Sequence, residues 1–226
     1  SRVVLALPPP NSRAVRLLSR GLVAAGSPVG SPDGQRIFFI GKARPAGAWQ
    51  IYQTDPGGGR PKALTSVSGG AMDPAVLATG ELVFSSPVPP VGETWKTQKP
   101  SALFVRQLDG TIRRITFGAR AAVEPTVLRD GKILFISAHP SANPDAAPSL
   151  GLFTVNKDGT EVTAFALNRD GAPTAHRPRE LFDGQIVHRV RIVQISLVVI
   201  GQRPMQRRFP RKEVVNDELV EGPVGH

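Results

Sequence analysis

The sequence contains no cysteine among its 226 residues. Disulfide bonds and thiolate metal sites are therefore excluded, while the compartment stays open because cysteine-free chains occur in both reducing and oxidising surroundings. Long apolar runs are also absent, since none reaches the roughly 18 residues that a membrane helix requires. The run at residues 3–7 is too short for the apolar core of a signal peptide. We therefore expect no membrane span in these residues.

Catalytic signatures are missing as well. The sequence has no Gly-x-Ser-x-Gly elbow, no His-Glu-x-x-His pair, no phosphate-binding Gly-x-x-x-x-Gly-Lys loop and no EF-hand spacing. The glycine run at residues 57–59 has no helix start after it, so we interpret it as a turn. Histidine is scarce, with four residues in all: His139, His176, His188 and His226. We predict no catalytic residue, no cofactor and no metal ligand in this chain.

Positive charge exceeds negative charge, with 28 Lys and Arg against 18 Asp and Glu, a formal net charge of +10. Most of the basic residues lie in turns and at strand ends, which is typical of a solvated surface. One stretch, residues 189–212, is basic and contains no acidic residue. We interpret the charge as a generally basic surface and keep a nucleic-acid-associated module as an alternative.

Glycine and proline are plentiful, at 23 and 22 residues, which together is about a fifth of the chain against a usual level of roughly 12%. They separate short apolar runs, as in an all-β chain with many tight turns. Four segments align on one such turn, each with a proline five residues before an Asp-Gly or Thr-Gly pair. These prolines are Pro28, Pro74, Pro125 and Pro178.

The prolines are spaced by 46, 51 and 53 residues, close to the length of one propeller blade. Phe38, Phe84 and Phe135 follow the first three turns, and His188 stands at this place after the fourth. We predict that the three phenylalanines share one repeat position and are buried between adjacent blades. Each unit also contains a second pair of strand-like segments around a glycine turn, such as Asp109-Gly110. Each unit is thus predicted as four short antiparallel strands, a to d, and the whole as a β-propeller.

These residues resemble the TolB-like (WD40-like) β-propeller repeat, whose pattern is matched by Ser31-Pro32-Asp33-Gly34, Ile51-Tyr52 and Leu64-Thr65. Later units match more loosely, and the resemblance covers residues 13–187. It implies a propeller fold and a periplasmic or exported protein.

We predict an all-β chain with about three full four-stranded blades and partial blades at both ends. The predicted boundaries are propeller blades over residues 1–200, comprising a partial blade 1–20, blades 21–67, 68–118 and 119–170 and a partial blade 171–200, followed by an irregular basic and acidic tail over 201–226. Two interpretations fit the partial blades: the two ends share one closing blade, or the chain is a fragment of a larger propeller. We favour the fragment.

Topology selects the predicted binding face. In an up-and-down blade the a–b and c–d turns lie on one side, and here they are tight; the b–c and d–a loops on the other side carry the long insertions. The residues just before each innermost strand should ring the central channel on that side. The candidate residues for binding a partner or ligand are Asp73, Glu124, His176, Arg177 and the insertion residue Trp95. Asp73 and Glu124 have a purely structural alternative, in which they accept hydrogen bonds from loop backbone N–H groups.

The leading functional hypothesis is a non-catalytic propeller that binds a protein or a small polar ligand on the b–c and d–a loop face. A second hypothesis is an accessory propeller of a larger enzyme, a peptidase or a hydrazine-synthase-alpha-like protein, with its catalytic part outside this chain. Nucleic-acid association is the third.

Overall fold

A computed structural model describes residues 1–6, 15–89, 100–118, 121–139, 149–166, 174–192, 195–201 and 213–215. All regular structure in these residues is β-strand. An N-terminal strand pair consists of β1 (Val4–Ala6) and β2 (Val15–Leu17). Blade 1 consists of β3 (Ala24–Gly30), β4 (Ile37–Lys42), β5 (Gln50–Thr54) and β6 (Lys62–Ala63). Blade 2 consists of β7 (Met72–Val76), β8 (Leu82–Pro87), β9 (Ser101–Arg106) and β10 (Ile112–Arg114).

Two further blades follow in the same way. Blade 3 consists of β11 (Ala122–Val127), β12 (Ile133–His139), β13 (Ser149–Val155) and β14 (Thr163–Ala166). Blade 4 consists of β15 (Thr174–Glu180), β16 (Ile186–Ile192), β17 (Ile195–Gly201) and β18 (Glu213–Val215). Each blade is an antiparallel sheet in the order a-b-c-d, and neighbouring blades touch through their first strands. The first strands are therefore innermost, as in a propeller, and the predicted fold class is confirmed.

In the described residues, the strands nearest the two ends of the chain belong to different sheets. β1 pairs with β2, and β15 to β18 form a sheet of their own. The described strands thus show no shared closing blade, which was one of the two interpretations of the sequence. Blade 4 also contains two strands beyond the a and b strands that the repeat predicts, and its last strand, Glu213–Val215, lies in the segment predicted as an irregular tail.

The tight turns are built by aspartate and glycine together. Asp109 is one example: its carboxylate accepts a hydrogen bond from the backbone N–H of Thr111 at 2.8 Å, and Gly110 follows it with a φ of +95°. Glycine adopts such a φ without steric cost, and aspartate bonds the backbone two residues ahead. The same bond lowers the pKa of Asp109. The recurring Asp-Gly pairs therefore fix where each hairpin reverses.

The hydrophobic core lies between the blades, and strand b contributes to both sides of its blade. Phe84 and Phe135 are fully buried and pack on the preceding blade. Phe38 is equally buried but packs on the following blade, whereas Phe39 packs toward the N-terminal strand pair. The predicted burial of Phe38, Phe84 and Phe135 between blades is confirmed. The prediction that they share one repeat position is wrong for Phe38, because Phe39 occupies that position.

One additional residue in the first a–b turn causes this shift. The turn of blade 1 closes with a hydrogen bond from Ser31 N–H to the carbonyl of Arg36, whereas that of blade 2 closes from Leu77 N–H to the carbonyl of Glu81. Because side chains alternate along a strand, one extra residue exchanges the two faces of the strand that follows. Aligning the sequence on the Asp-Gly pair alone does not reveal this insertion.

Candidate binding ring on the innermost strands

Every innermost strand contains a β-bulge at its X-Pro dipeptide. The pairing register shifts between Met72 and Ala75 in blade 2 and between Val123 and Thr126 in blade 3, with equivalent shifts in blades 1 and 4. The residue before the proline has a positive φ in all four blades: +49° at Ser27, +51° at Asp73, +52° at Glu124 and +48° at Arg177. Non-glycine residues rarely adopt this conformation. Its fourfold recurrence shows that the bulge belongs to the repeat, and we call these four residues the inner ring.

Two of the three adjacent pairs in the inner ring are connected from a backbone N–H to a carboxylate. The Asp73 carboxylate accepts the Ser85 hydroxyl at 2.7 Å and faces the backbone N–H of Glu124 at 3.5 Å. The Glu124 carboxylate in turn accepts the backbone N–H of Arg177 and lies 3.6 Å from Nδ1 of His176. Each carboxylate thus reaches the next blade, and the chain of contacts runs in one direction around the axis.

The structure therefore brings four of the five predicted site residues into one continuous cluster. Asp73, Glu124, His176 and Arg177 lie near the beginning of their innermost strands, at the end of the blade opposite the Asp-Gly turns between strands c and d. The fifth predicted residue, Trp95, lies outside the described residues. The cluster's role in binding stays a prediction.

The two carboxylates and the arginine of the cluster differ in how available they are to a ligand. Asp73 and Glu124 are partly buried and accept the hydrogen bonds described above, as the structural alternative requires. Arg177 is exposed, and its guanidinium makes no hydrogen bond or ion pair with the rest of the described chain. Ser27, the inner-ring residue of blade 1, is also exposed. The cluster thus presents two carboxylates that already accept hydrogen bonds and, on the next blade, an exposed arginine.

The opposite side of the blades carries exposed apolar residues that the sequence analysis did not single out. Phe182 in the a–b turn of blade 4 is 95% exposed, and the Arg129 guanidinium lies 5.4 Å from its ring centroid. Leu108 in a c–d turn of blade 2 is 67% exposed. The sequence signal was present, because each of these apolar residues directly precedes the Asp-Gly pair of a turn. This side therefore offers more than glycine turns, contrary to what the sequence suggested.

Neither a metal centre nor a membrane-crossing helix is found in the described part of the chain. No three His, Asp or Glu side chains there lie together as metal ligands would. No helix of sufficient length and apolar character to cross a membrane occurs in those ranges.

Comparisons with known proteins agree on the architecture. No family model and no curated protein sequence matches the chain. Among solved structures it is similar to hydrazine synthase from Kuenenia stuttgartiensis, with a TM-score of 0.74 and 17% identity over 85% of this chain and 33% of that one. It is similar to TolB from Acinetobacter baumannii, with a TM-score of 0.60 and 20% identity over 83% of this chain and 43% of that one. A chain of a nidogen/laminin complex gives a TM-score of 0.61 and 13% identity over 88% and 68%.

The chain thus spans less than half the length of the first two of these proteins. At such identities the likeness establishes the fold and leaves activity open. The sequence repeat, the four radial sheets and these neighbours together identify the chain as an open run of β-propeller blades, similar in structure to TolB and other propeller proteins.

Proposed function

We propose that this chain is a non-catalytic propeller module that binds a protein partner or a polar ligand through the inner ring. The observation that carries the proposal is the exposed Arg177, whose backbone N–H donates to the Glu124 carboxylate and whose guanidinium makes no hydrogen bond or ion pair within the described residues. Arginine at such a place is suited to bidentate contact with a carboxylate or phosphate group.

The rigidity of the innermost strands also favours the inner ring as the binding site. The inner-ring residues lie on the innermost strands, which pack against each other, and the backbone N–H groups of Glu124 and Arg177 are bonded to the preceding blade. Residues kept in sparsely populated backbone conformations cluster at binding sites, where they pre-organise the binding groups. A partner therefore meets Arg177 and His176 on a scaffold that needs little ordering, which lowers the entropy cost of binding.

Two neighbours support binding over catalysis. One of them belongs to a nidogen/laminin complex, so that propeller assembles with another protein. The other is TolB, whose repeat the sequence resembles. A periplasmic or exported location is part of the proposal and rests on this resemblance.

Photo-cross-linking from two matched positions tests the binding face. Phe117, 72% exposed at the d–a side, and Leu108, 67% exposed at the turn side, are each replaced with benzoylphenylalanine. In extract of the source cells we expect a discrete protein adduct from position 117 and none from position 108. Adding Arg177→Ala to the position 117 variant should weaken the adduct roughly tenfold, since a charge-assisted hydrogen bond contributes about 1.5–3 kcal/mol. Adducts from position 108 alone, or adducts insensitive to Arg177→Ala, would refute this face.

An accessory propeller within a larger enzyme is the second candidate. Its support is the likeness to hydrazine synthase, of which this chain spans 33%. The coding sequence on either side, read in all three frames, distinguishes the two. A hydrolase or haem-binding segment in frame favours the accessory role, and its absence favours a stand-alone binding module.

A further inference from the structure

The inner ring contains three steps, each from the ring residue of one blade to that of the next, and one of these steps differs from the others. Between blades 2 and 3, and between blades 3 and 4, an acidic side chain of one blade faces the backbone N–H of the equivalent residue in the next blade. Between blades 1 and 2 the residue that would supply the carboxylate is Ser27. Serine has no carboxylate, so the ring residue of blade 1 does not supply one at this step.

The donor at this step is the backbone N–H of Asp73. Asp73 has the same positive φ and the same bulge as Glu124 and Arg177, whose N–H groups point to the preceding blade. Within the described residues no side chain accepts a hydrogen bond from the Asp73 N–H. Ser27 is exposed and Asp73 is half-buried.

The carboxylate of Asp73 itself does not occupy this space. It is directed at Ser85 of its own blade and at Glu124 of the next one. An anion in front of the Asp73 N–H therefore lies on the opposite side of the residue from its carboxylate. The net charge of +10 attracts anionic partners to the chain as a whole.

We propose that the step between Ser27 and Asp73 is a carboxylate-binding site, which takes an acidic side chain of a protein partner in place of the missing ring carboxylate. The protein's own Glu124 shows how the occupant binds, because its carboxylate accepts the Arg177 N–H at the equivalent step. This inference rests on the proposed function and narrows the partner to one that presents Asp or Glu at the inner ring.

Amide chemical shifts of the whole 226-residue chain provide the test. N-acetylglutamate and N-acetylglutamine are both used as their α-amides, so that the first carries a single, side-chain carboxylate that matches Glu124 and the second carries no charge. The glutamate compound is titrated while backbone amide signals are followed, with the glutamine compound as the uncharged control. We expect a saturable downfield shift of the Asp73 amide with N-acetylglutamate and no saturation with N-acetylglutamine. Two variants complete the test. Ser27→Asp supplies the missing carboxylate from within and should weaken the binding at least tenfold, whereas Ser27→Gly suits the positive φ and leaves the site open.

An Asp73 amide that does not respond to N-acetylglutamate in the unmodified chain overturns the proposal, and so does a Ser27→Asp variant that binds as well as Ser27→Gly. If Ser27→Asp does not fold, the comparison of the two probes on the unmodified chain decides alone. A failure of the cross-linking experiment with a positive titration rejects the protein partner but keeps the carboxylate site. The reverse outcome rejects the site and keeps the partner.

Discussion

The ring of Phe84 lies against the ring of Phe104 across two neighbouring strands of blade 2, with 5.7 Å between centroids and 18° between planes. Phe39 with Tyr52, and Phe135 with Phe153, occupy the same register position in blades 1 and 3. Since Phe84 also packs on blade 1, one side chain joins strands within a blade to the core between blades.

Replacing Phe84 with alanine should therefore lower the free energy of unfolding by about 3–5 kcal/mol, as for other buried aromatic residues. Part of this loss is the contact with Phe104, since an aromatic pair contributes about 0.5–1.5 kcal/mol beyond its buried area. Urea titration followed by circular dichroism measures the change. Phe117→Ala, at a position that is 72% exposed, is the control and should change stability by at most about 1 kcal/mol, the contribution of its exposed contact with the Arg114 guanidinium. Similar losses in the two variants would contradict the packing described here.

The phenylalanines also show how much of the structure can be predicted from the sequence. Proline spacing and Asp-Gly turns were sufficient to predict the blades and the burial of Phe84 and Phe135, because turn chemistry acts locally and strongly. The exchange of Phe38 and Phe39 was not predictable from the turn alone, since it depends on which residues close the hairpin bond at Ser31. The neighbourhood of Asp73 and Glu124 followed from the repeat. Their bonds to the next blade's backbone, and the bulge conformation that aims them, depend on tertiary packing, which no local pattern reports.

Glu124 should act as an inter-blade link whether or not the inner ring binds a partner. Glu124→Ala removes the acceptor of the Arg177 N–H. We expect a loss of about 1.5 kcal/mol, at the low end for a bond to a charged group because the Glu124 side chain is 25% exposed. Glu124→Gln keeps an acceptor oxygen and should lose less. Hydrogen exchange of the Arg177 amide is the most direct measurement, and it should accelerate in Glu124→Ala only. Unchanged exchange would show that the bond does not protect this amide in solution.

A second inter-blade link makes stability depend on pH. Lys157 of blade 3 donates to the Glu81 carboxylate of blade 2 at 2.8 Å, and Thr79 donates to it at 2.7 Å. These bonds, with that of Lys157 the larger cause, hold the pKa of Glu81 below its usual value. A carboxyl whose pKa is lowered on folding stabilises the fold above its unfolded pKa, about 4.3, and this contribution is lost as the pH falls through the lower pKa of the folded state.

Glu81→Gln should therefore cost less than about 1 kcal/mol at pH 7, because Lys157 is half exposed and solvent screens the pair. The difference from the unmodified chain should shrink as the pH falls below the unfolded pKa and disappear once the pH lies below the folded-state pKa of Glu81, where both side chains are neutral. Urea titrations at several pH values between 7 and 3 measure this. Glu161→Gln is the comparison variant: its partner Lys132 also lowers its pKa, but Glu161 is 61% exposed, so its effect should be smaller. A Glu81→Gln deficit that persists unchanged at pH 3 would contradict the link.

Alanine substitutions at two turn glycines, Gly159 and Gly131, distinguish the loss of stability caused by a positive φ from the loss caused by a clash between blades. Gly159 has a φ of +90° and Gly131 a φ of +83°, and each donates its N–H at 2.9 Å to the carbonyl three residues earlier. A Cβ on Gly131 would meet nothing within 4 Å, whereas a Cβ on Gly159 would stand 2.9 Å from the backbone oxygen of Ile115 in blade 2. The blades cannot move apart easily at this point, because Arg113 of blade 2 donates to the carbonyls of Asp158 and Lys157 at 2.8 and 3.0 Å.

Gly131→Ala should accordingly cost about 1–2 kcal/mol, the strain of a left-handed backbone in a residue with a Cβ. Gly159→Ala should cost about 1–3 kcal/mol more, since the same strain is joined by overpacking against a backbone that is held in place. Urea titration of the two variants under identical conditions gives the difference directly. In the Gly159→Ala variant the new methyl group displaces the turn, so the bonds from the turn to the Arg113 guanidinium are already lost. Arg113→Ala should therefore lower the free energy of unfolding less in that variant than in the unmodified chain. Equal losses for Gly131→Ala and Gly159→Ala would mean that blades 2 and 3 lie farther apart at this turn than the contact with Ile115 requires.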